Sequence, residues 1–210
     1  MKLKFYSEYI FPRLMDWVMS GEAFHRLRSE LLKDARGEVL EIGFGTGLNL
    51  PHYSRNISRL SIVDPARMLT DKVRKRMAQI PFPIHVEHST AEALPYPDRK
   101  FDSVVSTWTL CTIPDVRKAL HEIRRVLKPT GTFLFLEHGR SDNARIAVWQ
   151  DRLNPIQNIF GGGCNLNRRI DQLITESGLQ IRHLDRFKME HVPRIAAEMY
   201  RGQAARTPSP

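Results

Sequence analysis

Two carboxylates and three glycines carry the first chemical signal in this chain. Glu41, Gly43, Gly45 and Gly47 alternate behind the apolar pair Val39-Leu40, and Asp64 closes the next apolar run, Leu60-Ser61-Ile62-Val63, about 20 residues further on. Glycines at alternate positions let the backbone turn sharply and approach a ligand where a Cβ would collide. An acid at the end of the following run can accept both hydroxyls of a ribose. The alternation departs from the dinucleotide pattern G-x-G-x-x-G, because Leu48 fills its last position and the third glycine arrives one residue early. No lysine follows the glycines, so a triphosphate finds no partner charge. The pattern asks for an adenosine without phosphates.

Such a loop needs a strand before it and a helix after it. Residues 39–42 have the apolar, β-branched character of a strand buried on both faces. Strand and helix then alternate. Asp64-Pro65 is expected to cap a helix carrying Met68, Leu69, Val73 and Met77, residues 84–88 and 101–106 read as strands, and 115–127 reads as a helix between Pro114 and Pro129. Residues 132–137 form a fifth strand, and 179–187 and 195–200 close the sheet. This alternation predicts an α/β fold, a parallel sheet with helices on both faces and right-handed crossovers. Upstream, residues 3–18 place Phe5, Tyr6, Tyr9, Ile10, Leu14, Trp17 and Val18 at mostly helical spacings around Pro12, and 22–33 repeats the pattern. Residues 1–36 are therefore expected to form a helical cap whose apolar face packs on the sheet domain, 37–206, with a membrane surface as the alternative support; 207–210 read as a tail.

Taken together, these residues resemble the class I S-adenosylmethionine-dependent methyltransferases, with a Rossmann-like, seven-stranded, mostly parallel sheet. The resemblance rests on Glu41-x-Gly43-x-Gly45-x-Gly47, on Asp64, and on Thr90-Ala91-Glu92-Ala93-Leu94-Pro95-Tyr96 running to Phe101-Asp102. It continues through Arg125-Val126-Leu127-Lys128-Pro129-x-Gly131 and Phe133-Leu134-Phe135-Leu136-Glu137. Single motifs of this kind are common, whereas the ordered set is specific.

The resemblance implies S-adenosyl-L-methionine as cofactor, held by Glu41, Gly43, Gly45, Gly47, Asp64, Pro65, Thr90, Ala91, Glu92 and Thr107. Glu41 either orients the ammonium of the methionine moiety or fixes the loop. Thr90 stands where many members have an acid facing the adenine amino group. Trp108 and Cys111, in Thr107-Trp108-Thr109-Leu110-Cys111-Thr112-Ile113, together with Cys164 and Asn165, are expected to line the acceptor site; packing alone is the other reading of Trp108 and Cys111. Glu137-His138 and Gly162-Gly163-Cys164-Asn165-Leu166-Asn167-Arg168 narrow the resemblance to a branch with the membrane-associated thiol S-methyltransferases of animals and bacterial phospholipid N-methyltransferase-like proteins. His138 is the candidate general base, since it titrates near neutrality; a capping or acceptor-contacting role is the alternative.

Composition bounds the rest. The chain has 210 residues, 41% hydrophobic, which suits one domain with a proper core. Its net charge of +9 speaks to association, and the basic residues read as solvated helix faces among scattered acids. No aromatic-rich strand surface or RNA module accompanies them, which disfavours nucleic acid. Two cysteines exclude a disulfide scaffold. His85 and His88 point to opposite faces of a strand, so no metal site is expected. No G-x-S-x-G elbow supports a serine hydrolase. Without a signal peptide or an 18-residue uncharged run, the chain is expected in the cytoplasm, alone or peripheral at the inner membrane surface. The expected partner is a small-molecule or lipid acceptor, with no obligate protein partner. Thiol sulfur is slightly favoured, phosphatidylethanolamine nitrogen is the alternative, and a catalytically silent cofactor-binding protein is the rival from another class.

Overall fold

Burial along the strands explains why the chain forms an α/β layer structure. In the computed structural model, which describes residues 11–66 and 70–207, successive strand residues feed two separate cores. Leu40, Val104, Phe133 and Phe135 enter one, packed by Leu120, Ile123, Ile170 and Ile174. Val39, Ile62, Val105, Leu134 and Leu136 enter the other, packed by Leu27, Leu31 and Leu32. A strand with apolar residues on both faces must be covered on both faces, and helices do so here.

The elements run α1 (Phe11–Met19), α2 (Glu22–Leu32), β1 (Gly37–Ile42), a 3-10 turn (Leu50–His52), β2 (Ile57–Val63), α3 (Asp71–Met77), β3 (Ile84–Glu87) and β4 (Phe101–Thr107). They continue α4 (Val116–Val126), β5 (Leu127–His138), α5 (Ala144–Phe160), α6 (Ile170–Glu176), β6 (Leu179–Lys188) and β7 (Glu198–Arg206). The seven strands are ordered β3-β2-β1-β4-β5-β7-β6. β1 pairs parallel with β2 and β4, and β4 with β5, whereas β7 lies antiparallel between β5 and β6. The strand order reverses between β1 and β4, which opens a crevice beyond their carboxyl ends.

Three expectations are corrected. The last strand starts at Glu198 and runs to Arg206, not over 195–200, because pairing with both β5 and β6 selects a segment whose own pattern is polar. Thr70, not Asp64-Pro65, caps α3, its hydroxyl accepting from Val73 N at 3.4 Å; Met68 and Leu69 lie outside the described residues. Leu14, Trp17 and Val18 of α1 do not pack inward. Asp16 is its buried side chain, held by Lys72 and Arg76, while Leu14, Trp17 and Val18 are exposed. Phe5, Tyr6, Tyr9 and Ile10 lie outside the described residues.

Candidate active site

At the end of β1 the chain turns through Gly43, Gly45 and Gly47, all with positive φ (73°, 55° and 76°). Each is open to glycine and strained for any other residue. Their surroundings differ. A Cβ on Gly43 would lie 2.2 Å from Thr109 Cγ2, so that glycine lets the β4 turn close against the loop, whereas a Cβ on Gly45 would meet no atom of the described residues within 4 Å. Gly45 therefore borders free space at the crevice, where a ligand can approach the backbone.

Asp64 is tied to the same loop. Its Oδ2 accepts from Gly45 N at 2.8 Å and its Oδ1 from Ala66 N at 2.8 Å. A carboxylate has about four acceptor positions, so capacity remains for ribose hydroxyls. Pro65 and Thr90 are exposed and Ala91 is buried. Glu92 is turned away to the start of α4, accepting from Asp115 N at 3.4 Å.

Glu41 fixes the loop from below. It is 1% exposed; Oε1 accepts from Asn49 Nδ2 at 2.9 Å and Oε2 from Tyr53 OH at 2.7 Å. Burial raises its carboxyl to about 7, against the pull of those two donors and of Arg28. Asn49 Nδ2 also reaches Thr107 Oγ1 at 3.0 Å, and Arg28 Nε donates to Asn49 Oδ1 at 3.1 Å. Arg28, Asn49 and Tyr53 were not legible as site residues. Arg28 comes from α2, and Asn49 and Tyr53 flank the 3-10 turn, so they meet Glu41 only in the folded chain.

The turn after β4 rests on a second buried acid. Glu137 accepts from Ser106 OH at 2.7 Å and from the backbone N–H groups of Thr109 and Leu110 at 3.2 and 3.1 Å. Trp108 sits at the head of that turn with φ 50°, packed edge-on to Phe24 and under the guanidinium of Arg28 at 4.8 Å. A bulky residue in this region of φ is strained, and the buried Nε1 of Trp108 has no hydrogen-bond partner among the described residues.

Beyond the same turn the chain brings Cys111, His138 and Cys164 together. Their ligand atoms lie within 4.8 Å of one another, and His138 Nε2 is 3.0 Å from Cys164 Sγ. Asn165 holds the arrangement: its backbone N and its Nδ2 both donate to Cys111 O at 2.9 Å, and Asn154 Nδ2 reaches its Oδ1 at 3.1 Å. The hydrogen bond from Cys111, opposed by burial and helped by His138, lowers the Cys164 thiol. Burial works against the charged imidazole, yet the bond to Cys164 and its charge leave His138 raised. Cys111 is pushed well up by the bond to Cys164 and by burial.

Sequence spacing could not show this cluster, since the end of β5 and two separate loops supply it. A tetrahedral ion holding sulfur at about 2.3 Å and nitrogen at about 2.0–2.1 Å sets those ligands about 3.5 Å apart. A ligating histidine also normally donates its other nitrogen to a second partner, and His138 Nδ1 has no hydrogen-bond partner among the described residues. The short His138–Cys164 contact fits a shared proton better than a shared ion.

The glycine loop with its open space at Gly45, the acid at the end of β2 and the reversal of strand order fit the adenosyl part of S-adenosylmethionine. Comparison with known proteins agrees. A methyltransferase domain family model matches residues 40–135. The chain is 31% identical over 181 residues to human thiol S-methyltransferase TMT1B, covering 82% of this chain and 70% of that protein. It is 28% identical over 139 residues to a phosphatidylethanolamine N-methyltransferase of Cereibacter sphaeroides, covering 65% and 68%. Among solved structures, N-methyltransferase NodS from Bradyrhizobium japonicum, in complex with S-adenosyl-L-homocysteine, superposes with a TM-score of 0.69 at 14% identity, covering 98% and 96%. YcgJ of Bacillus subtilis does so with 0.69 at 17%, covering 89% and 99%. The chain belongs to the class I S-adenosylmethionine-dependent methyltransferases.

Proposed function

We propose that this methyltransferase acts on the sulfur of a small or lipophilic thiol, with His138 and Cys164 as the pair that takes the acceptor's proton. The observation that carries the reading is the buried His138–Cys164 contact at the carboxyl ends of β4 and β5, with Nδ1 of His138 left for another group. The likeness to thiol S-methyltransferase TMT1B supports the same acceptor class.

S-adenosylmethionine, when bound, supplies a methyl group already activated as a sulfonium. What this chain's residues contribute is position, exclusion of water and a place for one proton. Gly43, Gly45, Gly47 and Asp64 hold the adenosyl end, while Glu41 keeps the loop in shape. Trp108, Cys111 and Asn165 shape the acceptor side, with Thr107 toward the cofactor and Thr90 and Ala91 at the adenine side. A free thiol has a pKa near 8.5, so only a few per cent of it is thiolate at pH 7. The imidazole of His138 can accept the acceptor's proton, and Cys164, bonded to Nε2, stabilises the imidazolium that results. Positioning alone contributes up to roughly 7–11 kcal/mol in well-oriented reactions, so few further groups are required.

The phosphatidylethanolamine N-methyltransferase relative favours a second reading, an amine headgroup as acceptor. One experiment separates the two: incubation with isotope-labelled S-adenosylmethionine and a panel of thiols, amines, phospholipids and quinones, with products identified by mass spectrometry. A labelled thioether is the expected product. Label confined to phosphatidylethanolamine overturns the thiol reading.

A further inference from the structure

Two helices of this fold bury polar side chains and expose large apolar ones. In α5, Gln150 is fully buried; its Nε2 donates to Gly139 O at 3.0 Å and Ile195 O at 2.9 Å, and its Oε1 accepts from Ser141 N at 2.9 Å. One turn on, Asn154 accepts from Leu166 N at 2.8 Å. The opposite face presents Val148, Trp149, Leu153, Ile156 and Ile159, which are 37–59% exposed. In α1 the inward residue is Asp16, and Trp17 on the outer face is 75% exposed. An apolar stripe over several turns of a helix exceeds the scattered apolar exposure of ordinary surfaces.

Both helices stand at the carboxyl ends of the strands. Arg76 ties α1 to the glycine loop, bonding Asp16 and the carbonyl of Thr46. Asn154 and Asn158 tie α5 to Asn165, which in turn holds Cys111.

The charges select the occupant. Asp16 is buried against Lys72 and Arg76, and Asp151 is held by Arg140 and Asn167. Arg13, Arg145 and Arg152 are exposed, with Arg152 over the ring of Trp149 at 5.5 Å. The outward surfaces are thus apolar and cationic, with their acids already neutralised. A symmetric antiparallel pairing of two copies through α5 would press Arg152, near the middle of the stripe, toward its own equivalent and cover both arginines with apolar surface, whereas an anionic lipid surface accepts the apolar residues and the arginines together.

We infer that α1 and α5 dock the protein peripherally on an anionic membrane, with Trp17, Trp149, Leu153 and Ile156 at the level of the headgroups. The surface does not depend on which acceptor is methylated. In the test, the full chain is floated with vesicles of phosphatidylcholine, with or without added phosphatidylglycerol. Sedimentation velocity without lipid follows the state of association. The protein is expected to float with the anionic vesicles and less so as salt is raised. Leu153→Glu with Ile156→Glu should lower partitioning roughly tenfold or more. Arg145→Gln with Arg152→Gln should lower it roughly fivefold per residue on anionic vesicles only. All four positions are at the surface, so thermal midpoints should stay near the parent's and report that each variant is folded. Absence of flotation, flotation unchanged in both double variants, or a dimer that Ile156→Glu dissociates would each overturn the inference.

Discussion

The imidazole Nε2 of His138 meets the thiol of Cys164 at 3.0 Å, although the two residues stand 26 positions apart in the chain. His138 ends β5, and Cys164 follows the glycines after α5. A pair of this kind can hold one proton in either of two places. If it serves a thiol acceptor as proposed, His138→Gln should lower turnover at pH 7 by about 10²–10⁴. The deficit should shrink as pH passes the acceptor's own pKa near 8.5, where solution supplies the thiolate. Cys164→Ser keeps a partner for Nε2 but removes the thiolate that raises His138, so the imidazole should titrate at lower pH. The rate profile of that variant should move to lower pH with it. Equal losses at every pH in His138→Gln would argue for a purely structural histidine.

Asp64 is expected to act in two ways, because its oxygens already hold Gly45 N and Ala66 N and retain capacity for a ribose. Asp64→Ala removes charge-assisted hydrogen bonds worth about 1.5–3 kcal/mol each and should weaken S-adenosylmethionine binding at least about tenfold. Asp64→Asn keeps one acceptor oxygen and should fall between the two. Calorimetry measures this directly, and NAD titrated into the parent should give no heat of binding.

How much of this was legible in the sequence depended on whether a residue's partners were its neighbours along the chain. Val39 to Ile42 and Val104-Val105 read as buried strands because both of their faces are apolar, and they are strands. α5 was not read at all: its inward positions are Gln150 and Asn154, so an argument that places apolar residues inside finds no core face there. Asn143 does accept from Arg145 N and Ile146 N, a local capping signal that marks where the helix begins. Residues 198–206 include Arg201, Gly202 and Gln203, and become a strand because β5 and β6 offer edges on both sides. The glycine loop and Asp64 were legible because their spacing is their chemistry. Arg28, Asn49 and Tyr53 were not, since their part is to satisfy Glu41 from elsewhere in the fold.

Glu41 gives the protein a pH dependence of defined sign. Its carboxyl titrates at about 7 when folded, against 4.5 as the ordinary value. Between those two values the folded state keeps a proton that the unfolded chain has lost. The stability tied to this group is therefore full below about pH 4.5 and declines as pH rises toward 7, by on the order of 3 kcal/mol in all. Glu137, also raised to about 7 by burial, adds a slope of the same sign. Glu41→Gln cannot titrate and should remove its share, so urea denaturation from pH 5 to 7.5 should show a shallower decline than in the parent. A steeper decline, or stability rising over that interval in the parent, would contradict the assignment.

Gly43 and Gly45 offer the sharpest separation of folding from binding. Both have positive φ, so alanine costs about 1–2 kcal/mol at either position from backbone strain alone. At Gly43 the new methyl would also lie 2.2 Å from Thr109 Cγ2 and 2.3 Å from its Oγ1, a side chain whose turn is bonded to Glu137. That turn cannot withdraw without losing the buried acid's partners, so Gly43→Ala should lower the thermal midpoint well beyond the strain cost. At Gly45 the methyl enters space in which no atom of the described residues lies within 4 Å, so Gly45→Ala should fold with only the strain penalty. If that space belongs to S-adenosylmethionine, the methyl occupies part of it and binding should fall by at least about tenfold, one decade being about 1.4 kcal/mol. Paired melts and calorimetry on the two variants decide the matter: unchanged cofactor affinity in a well-folded Gly45→Ala protein would place the ligand elsewhere on the crevice.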